Sequence, residues 1–232
     1  MDLFYAENIY DSKVVLHEEQ HRHCIKSMRK KIGDEIYLTD GKGKLMKAML
    51  KEVARNESTF EILTIEEQDG LVPHITIGIA PTKNMSRFEW FLEKAVELGV
   101  HRIVPFVSQN SERKHLKLDR CIKIMVSAMK QSLRCWLPEI SEIQKLKDTH
   151  WDGMANSRFI CYVPHKEAYL GTRYKVNQNT LIMIGPEGGF TLEEVKGLED
   201  KGFEAVSLGQ TRLRTETAGI AALQIIHTLN NI

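Results

Sequence analysis

Three stretches of the chain combine residue types and spacings that could do chemistry. His17-Glu18-Glu19-Gln20-His21 matches H-E-x-x-H, in which two imidazoles on one helix face hold zinc and the glutamate acts as base. No third ligand stands out nearby, so the expectation is an exposed helix start and no bound metal. The second stretch, Ile184-Gly185-Pro186-Glu187-Gly188-Gly189, directly follows the apolar run Leu181–Ile184. Glycines at the end of a strand let backbone approach a ligand closely and free its N–H groups to bind. The pattern is neither G-x-G-x-x-G nor G-x-x-x-x-G-K-[ST], so neither the dinucleotide nor the P-loop fingerprint applies; an ordinary turn into a helix is the alternative reading. The third stretch runs from Leu208-Gly209 to Leu213-Arg214-Thr215-Glu216-Thr217-Ala218. Glu216 suits the positive end of a helix dipole, and Thr215 or Thr217 suits its cap. Arg214 has no such reason to be there, because a cation at a helix N-terminus is unfavourable. It points to an anionic or carbonyl-rich ligand.

These stretches need elements to position them. From His74 onward, apolar strands alternate with amphipathic helices. Strands are expected over His74–Ala80, His101–Val107, Phe159–Val163, Leu181–Ile184 and Phe203–Leu208. A helix opens at Ser86 with Glu89 completing a capping box, buries Phe88, Phe91, Leu92 and Ala95, and closes at Gly99. Leu118, Ile122, Met125, Met129 and Leu133 are spaced as the stripe of a second helix. Thr191 with Glu194 caps a third, which ends near Gly202, and Thr215–Asn230 forms the last. Such alternation implies an α/β layer with a mostly parallel sheet, whose ligands sit at the carboxyl ends of its strands. The first seventy residues instead read as β-rich: Glu35–Thr39, the turn Asp40-Gly41, Leu45–Val53 and Thr59–Ile65, with one short helix over His17–Lys30. Several short strands suggest a small barrel. The composition changes at Leu71-Val72-Pro73, giving expected domains 1–70 and 71–232.

Composition narrows the class. At 232 residues and 42% hydrophobic, the chain can bury a sizeable core and is not mostly disordered. It has no apolar run approaching a membrane span and no secretory pattern at its start. Its four cysteines share no CxxC spacing, so neither a disulfide framework nor a zinc ribbon is expected, and a cytoplasmic setting is. The net charge of +1 says little, but its distribution is uneven. Arg22–Arg55 holds ten Lys/Arg against four Asp/Glu, and Arg113–Arg134 holds seven against Asp119 alone. Such stretches form either a phosphate-facing surface or ordinary solvated faces.

The two glycine-containing motifs, Ile184–Thr191 and Leu208–Ala218, resemble the C-terminal motifs of SPOUT methyltransferases. More narrowly, the chain resembles the 16S ribosomal RNA uridine-N3 methyltransferase family, RsmE. The resemblance continues through Glu93–Val100 with Ile103-Val104-Pro105, and through Gln131–Arg134 with Pro138–Ile140. At the front it includes His23, Met28-Arg29, Gly33-Asp34 and Asp40-Gly41. Lys130 stands where the family usually has glutamate. Thr211 stands where it usually has arginine, and an arginine falls one residue later at Arg212.

The resemblance implies a PUA-like β-barrel that helps bind RNA, followed by an α/β domain with a deep trefoil knot. It implies S-adenosylmethionine as cofactor, a homodimer, and 16S rRNA in the small subunit as substrate, with no membrane and no metal. By motif match, Ile184, Gly185, Pro186, Glu187, Gly188, Leu208, Gly209, Leu213, Thr215, Thr217 and Ala218 hold the cofactor. Arg214 stabilises charge on the uracil, and Glu216 acts as base or orients Arg214 or Thr217. His23, Arg29, Lys83, Arg87, Arg113 and Arg134 are the RNA-binding candidates. A SPOUT enzyme acting on another RNA or on the ribose 2′-oxygen, and a non-catalytic RNA-binding protein, are the alternatives.

Overall fold

A computed structural model describes residues 2–231 except 8, 11, 150, 152, 154 and 163–167. The chain divides into two compact units, Met1–Gly70 with Val126–Leu137, and Leu71–Met125 with Pro138–Ile232.

In the first unit, β1 (Leu3–Tyr5), β2 (Ile9–Tyr10), β3 (Lys13–His17), β4 (Glu35–Thr39), β5 (Lys44–Val53) and β6 (Glu57–Glu67) form one sheet. Its order is β1-β4-β5-β6-β3-β2. Only the β1–β4 pair is parallel. Alternation sends Leu16, Ile36, Leu38, Met46, Ala48, Leu50 and Phe60 to one face, where they meet Phe4 and Val14 in a single core. Register shifts in the β5–β6 ladder at Lys47/Ala48 and Leu50/Glu52 bend the strands as bulges do. At the β4–β5 turn, Asp40 Oδ1 accepts from the N–H groups of Lys42 and Lys44, at 2.7 and 3.1 Å. Gly41 and Gly43 there adopt φ of +70° and +101°, open to glycine without strain.

The helix expected over His17–Lys30 is α1 (Glu18–Arg22) continued by a π-helical turn, His23–Ser27. His17 ends β3, so the two imidazoles of the H-E-x-x-H match do not share a helix face. His17 Nδ1 lies 3.5 Å from Glu57. His21 is buried against Ser58 Oγ at 2.7 Å.

In the second unit, β7 (Ile75–Ile79), β8 (Arg102–Val107), β9 (Glu139–Ile140), β10 (Gln144–Lys145), β11 (Ser157–Cys161), β12 (Thr180–Ile184) and β13 (Glu204–Val206) pair entirely in parallel. The order is β10-β8-β7-β12-β11-β13, with β9 also on β8. Central β7 and β12 are buried along their whole length, as expected of parallel strands covered on both faces. The expected end of β11 at Val163 lies outside the described residues.

The helices are α2 (Met85–Leu98), α3 (Leu118–Gln131), α4 (Leu170–Arg173), α5 (Leu192–Glu199) and α6 (Thr215–Asn230). The Thr191–Glu194 capping box is present, and Gly99 ends α2 at φ +81°. The cap of α2 differs from expectation. Asn84, not Ser86, is the N-cap, its side chain accepting from the Ser86 N–H. Glu89 is drawn off to Arg120, with two bonds of 2.6 and 2.8 Å. The buried side of α3 carries Cys121, Met125, Ala128 and Met129, a face rotated from the expected stripe. Ile122 is 37% exposed, and Leu133 lies beyond the helix with φ +56°. α6 packs on α2 through Gly219, where a Cβ would come within 2.5 Å of the Phe91 ring. Among the described residues, no helix is long and apolar enough to cross a membrane, and no group of three or more His, Cys, Asp or Glu could hold a metal.

Candidate active site

Because every strand of the second sheet is parallel, their carboxyl ends share one edge, the usual place for ligands in such folds. The loops after β7, β8, β12 and β13 gather there. Those after β12 and β13, with the end of β11, border a cleft of about 640 Å³, within the size range of small-molecule sites. Its lining is Ile184–Phe190, Val206–Gly209, Thr211–Thr215 and Ala218, with Cys161, Tyr162 and Arg87.

Side chains bonded to backbone carbonyls tie these loops together. Thr215 Oγ1 donates to the Gly185 carbonyl at 3.0 Å, so Thr215 bridges the two motifs instead of capping α6. Arg212 Nη2 donates to the Glu187 carbonyl at 3.0 Å, and Glu187 Oε1 accepts from the Lys83 N–H at 3.0 Å. Asn110 Nδ2 donates to the carbonyls of Gly188 and Gly189 at 3.3 and 3.1 Å. Arg113 donates through Nε to Thr82 O at 3.0 Å and through Nη2 to Lys83 O at 2.6 Å. A Cβ on Gly188 would lie 2.9 Å from Asn110 Cβ. This glycine is therefore required by close packing against the loop after β8.

Arg214 is the N-cap of α6, in extended backbone, with no side-chain cap bond. Its side chain is exposed, lines the cleft, and makes no ion pair among the described residues. Glu216 is only 7% exposed and does not line the cleft. Its Oε1 lies 3.8 Å from Arg87 Nε, while its Oε2 is buried without a hydrogen-bond partner among the described residues. Glu216 thus faces Arg87, which neither sequence reading of it named, and Arg87 does line the cleft. Burial pushes the Cys161 thiol up to about 12, which makes it inert as a nucleophile.

Ten of the eleven cofactor positions named from the motifs line the cleft; Thr217 is exposed and lies outside the lining. Lys83 pairs with Glu112 at 2.7 Å, and the hydrogen bond and charge of that carboxylate raise its pKa. In the first unit, His23 and Arg29 are exposed, and His23 packs at a tilt on Phe4 with centroids 5.6 Å apart. Arg134 is half-buried, which draws its pKa down. The sequence reading names neither Asn110 nor Tyr162. For Asn110 a signal existed: Ser108-Gln109-Asn110 directly follows an apolar strand, where the carboxyl-edge rule applies.

Known proteins share this architecture. The family model for an RNA methyltransferase domain matches residues 70–227, and that for an RNA methyltransferase PUA domain matches residues 16–63. The chain is 30% identical to the ribosomal RNA small subunit methyltransferase E of Synechocystis sp., over 96% of this chain and 75% of the relative. A crystal structure of a "probable rRNA-methyltransferase" from Porphyromonas gingivalis superposes with a TM-score of 0.90 at 39% identity, covering 100% of this chain and 99% of that one. The ribosomal RNA small subunit methyltransferase E of Neisseria gonorrhoeae, crystallised with S-adenosyl methionine, gives 0.88 at 32% identity over 99% and 98% of the two chains. A PUA-like sheet followed by a SPOUT-type α/β layer, matched from end to end, makes this chain a member of the ribosomal RNA small subunit methyltransferase E family.

Proposed function

We propose that the chain is an S-adenosylmethionine-dependent methyltransferase that modifies N3 of a uridine in 16S rRNA within the small subunit, acting as a homodimer. The observation that carries the reading is the cleft between the two glycine-containing loops, with the exposed guanidinium of Arg214 on its wall. The cleft fits the cofactor's chemistry. Ile184, Val206, Leu208 and Leu213 offer apolar surface for an adenine ring, and the Gly185–Gly189 backbone offers polar groups at close range.

When bound, S-adenosylmethionine supplies a methyl group on a positively charged sulfur. The chain's own residues do the rest. Loss of the N3 proton to water spreads negative charge onto O2 and O4 of the uracil, and the freed N3 lone pair forms the bond to the methyl carbon as the carbon–sulfur bond breaks. Arg214, free of internal partners among the described residues, stabilises that charge in this reading, and a preorganised donor does so without reorganisation cost. Arg87 supplies a second cation on the same cleft, and the buried carboxylate of Glu216 positions it. The loops act mainly by holding the two reactants in line.

Nucleoside mass spectrometry of small-subunit rRNA from cells lacking and regaining the gene tests the assignment. N3-methyluridine should vanish and return. A lost 2′-O-methyl nucleoside would move the reaction to the ribose, and an unchanged nucleoside profile would refute the enzyme.

A further inference from the structure

One aromatic side chain in the first unit is held rigidly and left open. Trp136, five residues beyond α3, is 42% exposed. Its Nε1–H donates to the Gln68 carbonyl at 2.9 Å. The ring lies against glycine backbone: a Cβ on Gly43 would sit 2.5 Å from Cζ2 and 2.7 Å from Cε2, and one on Gly70 would sit 3.7 Å from the same atoms. The strand turn beneath is fastened to it. Lys42 and Trp136 form an antiparallel bridge. The Gly43 N–H donates to Cys135 O and the Leu137 N–H to Gly41 O, both at 2.8 Å. The indole cannot turn inward without breaking these bonds.

Two lysines flank it, with Glu67 opposite Lys44 in the β5–β6 ladder. Lys42 is exposed and Lys44 is half-buried, and neither makes an ion pair among the described residues. The neighbouring Asp40 carboxylate is occupied by two backbone N–H groups of the turn. A fixed aromatic face flanked by unpaired lysines complements an unpaired nucleotide, which presents a π face beside a phosphate. A protein partner would call for a broader apolar patch.

We propose that Trp136 is a stacking platform for one unpaired base of the RNA substrate, with Lys42 and Lys44 neutralising adjacent phosphates. This deepens the RNA-methyltransferase reading and rests on it. The test uses the full chain and a fluorescein-labelled single-stranded RNA dodecamer, followed by anisotropy. Trp136→Ala should weaken binding about ten- to a hundredfold, the range found for loss of one stacked base. Trp136→Phe keeps a ring face and should stay within about threefold of wild type by the same reasoning. Calorimetric affinity for S-adenosylmethionine should not change in either. A second measurement leaves the platform intact. In a Trp90→Phe variant, Trp136 is the remaining exposed indole, since Trp151 is 1% exposed, and saturating RNA should quench its emission. Wild-type affinity in a folded Trp136→Ala chain, or unquenched emission at saturation, overturns the platform while leaving the enzyme reading in place. A wild-type chain that binds S-adenosylmethionine but not this RNA also overturns the platform, whereas the enzyme reading falls only with an unchanged nucleoside profile.

Discussion

Replacing Gly188 by alanine tests how tightly the cofactor cleft is built. The added Cβ would sit 2.9 Å from Asn110 Cβ, and 3.5 Å from its Cγ and main-chain oxygen. Carbon atoms rest comfortably at about 3.5–4.0 Å, so the two loops must separate by roughly 0.6–1 Å. That movement pulls the carbonyls of Gly188 and Gly189 away from Asn110 Nδ2, which now reaches them at 3.3 and 3.1 Å. Two such bonds are worth about 1 kcal/mol each. If the cofactor requires the native turn, about 2 kcal/mol corresponds to roughly thirtyfold weaker binding. Gly188→Val adds two further methyls and should exceed a hundredfold on the same scale. The double variant Gly188→Ala with Asn110→Gly removes the obstructing atom, so its loss should be smaller than the sum of the single losses. Calorimetry with S-adenosylmethionine measures the wild type, the single variants Gly188→Ala, Gly188→Val and Asn110→Gly, and the double variant, with thermal melting as the control for folding. A folded Gly188→Ala protein with wild-type affinity, or strict additivity in the cycle, would refute this account.

Arg214→Ala should keep the fold and most cofactor affinity yet lose about 10²–10³ in single-turnover methylation of small subunits, with Arg214→Lys rescuing only in part; a wild-type rate would remove Arg214 from the mechanism. Arg29→Glu should weaken RNA binding and flatten its salt dependence without touching cofactor affinity, because each neutralised phosphate releases counterions; an unaltered salt slope would exclude Arg29 from the interface. His101 stacks on His74 with centroids 3.8 Å apart and planes within 4°. Burial first, then the His74 charge, holds its pKa below the ordinary 6.5. The unfolded chain therefore takes up that proton first, so the pair's contribution is full above 6.5 and is lost as pH falls through the lowered folded value. Urea midpoints should drop between pH 7 and pH 5, and His101→Gln should lessen the drop; a wild-type midpoint independent of pH would refute this.

Much of the site could be read from sequence because its signals are local. An apolar run followed at once by glycines marks β12 and its loop, and Thr191 with Glu194 writes its own capping box. The last helix starts at Thr215, where the threonine and glutamate cluster placed it. Long-range bonds could not be read. Asn110 meets the Gly188 loop across 78 residues, and Arg120 draws Glu89 from its expected cap across 31. Nor does a composition change at Leu71 reveal that Val126–Leu137 packs into the first unit, because that grouping depends on strand-turn contacts made by Cys135, Trp136 and Leu137. Glu216 illustrates the same limit. Its position at a helix start is evident, but its burial beside Arg87 is a product of tertiary packing.

The bonds that shape the cleft have a consequence for how such a site can drift. At Gly185, Glu187, Gly188, Thr82 and Lys83, the atoms being held are main-chain oxygens. Every amino acid carries one. These tethers therefore ask nothing of the side chains of the residues that accept, which answer only to packing and to their own contacts, as Gly188 and Glu187 do, whereas they do constrain those that give, Thr215, Arg212, Asn110 and Arg113. A long guanidinium can reach a given oxygen from more than one backbone position. Arg212 makes such a tether here, to the Glu187 carbonyl, while Thr211 beside it lines the same cleft without one among the described residues.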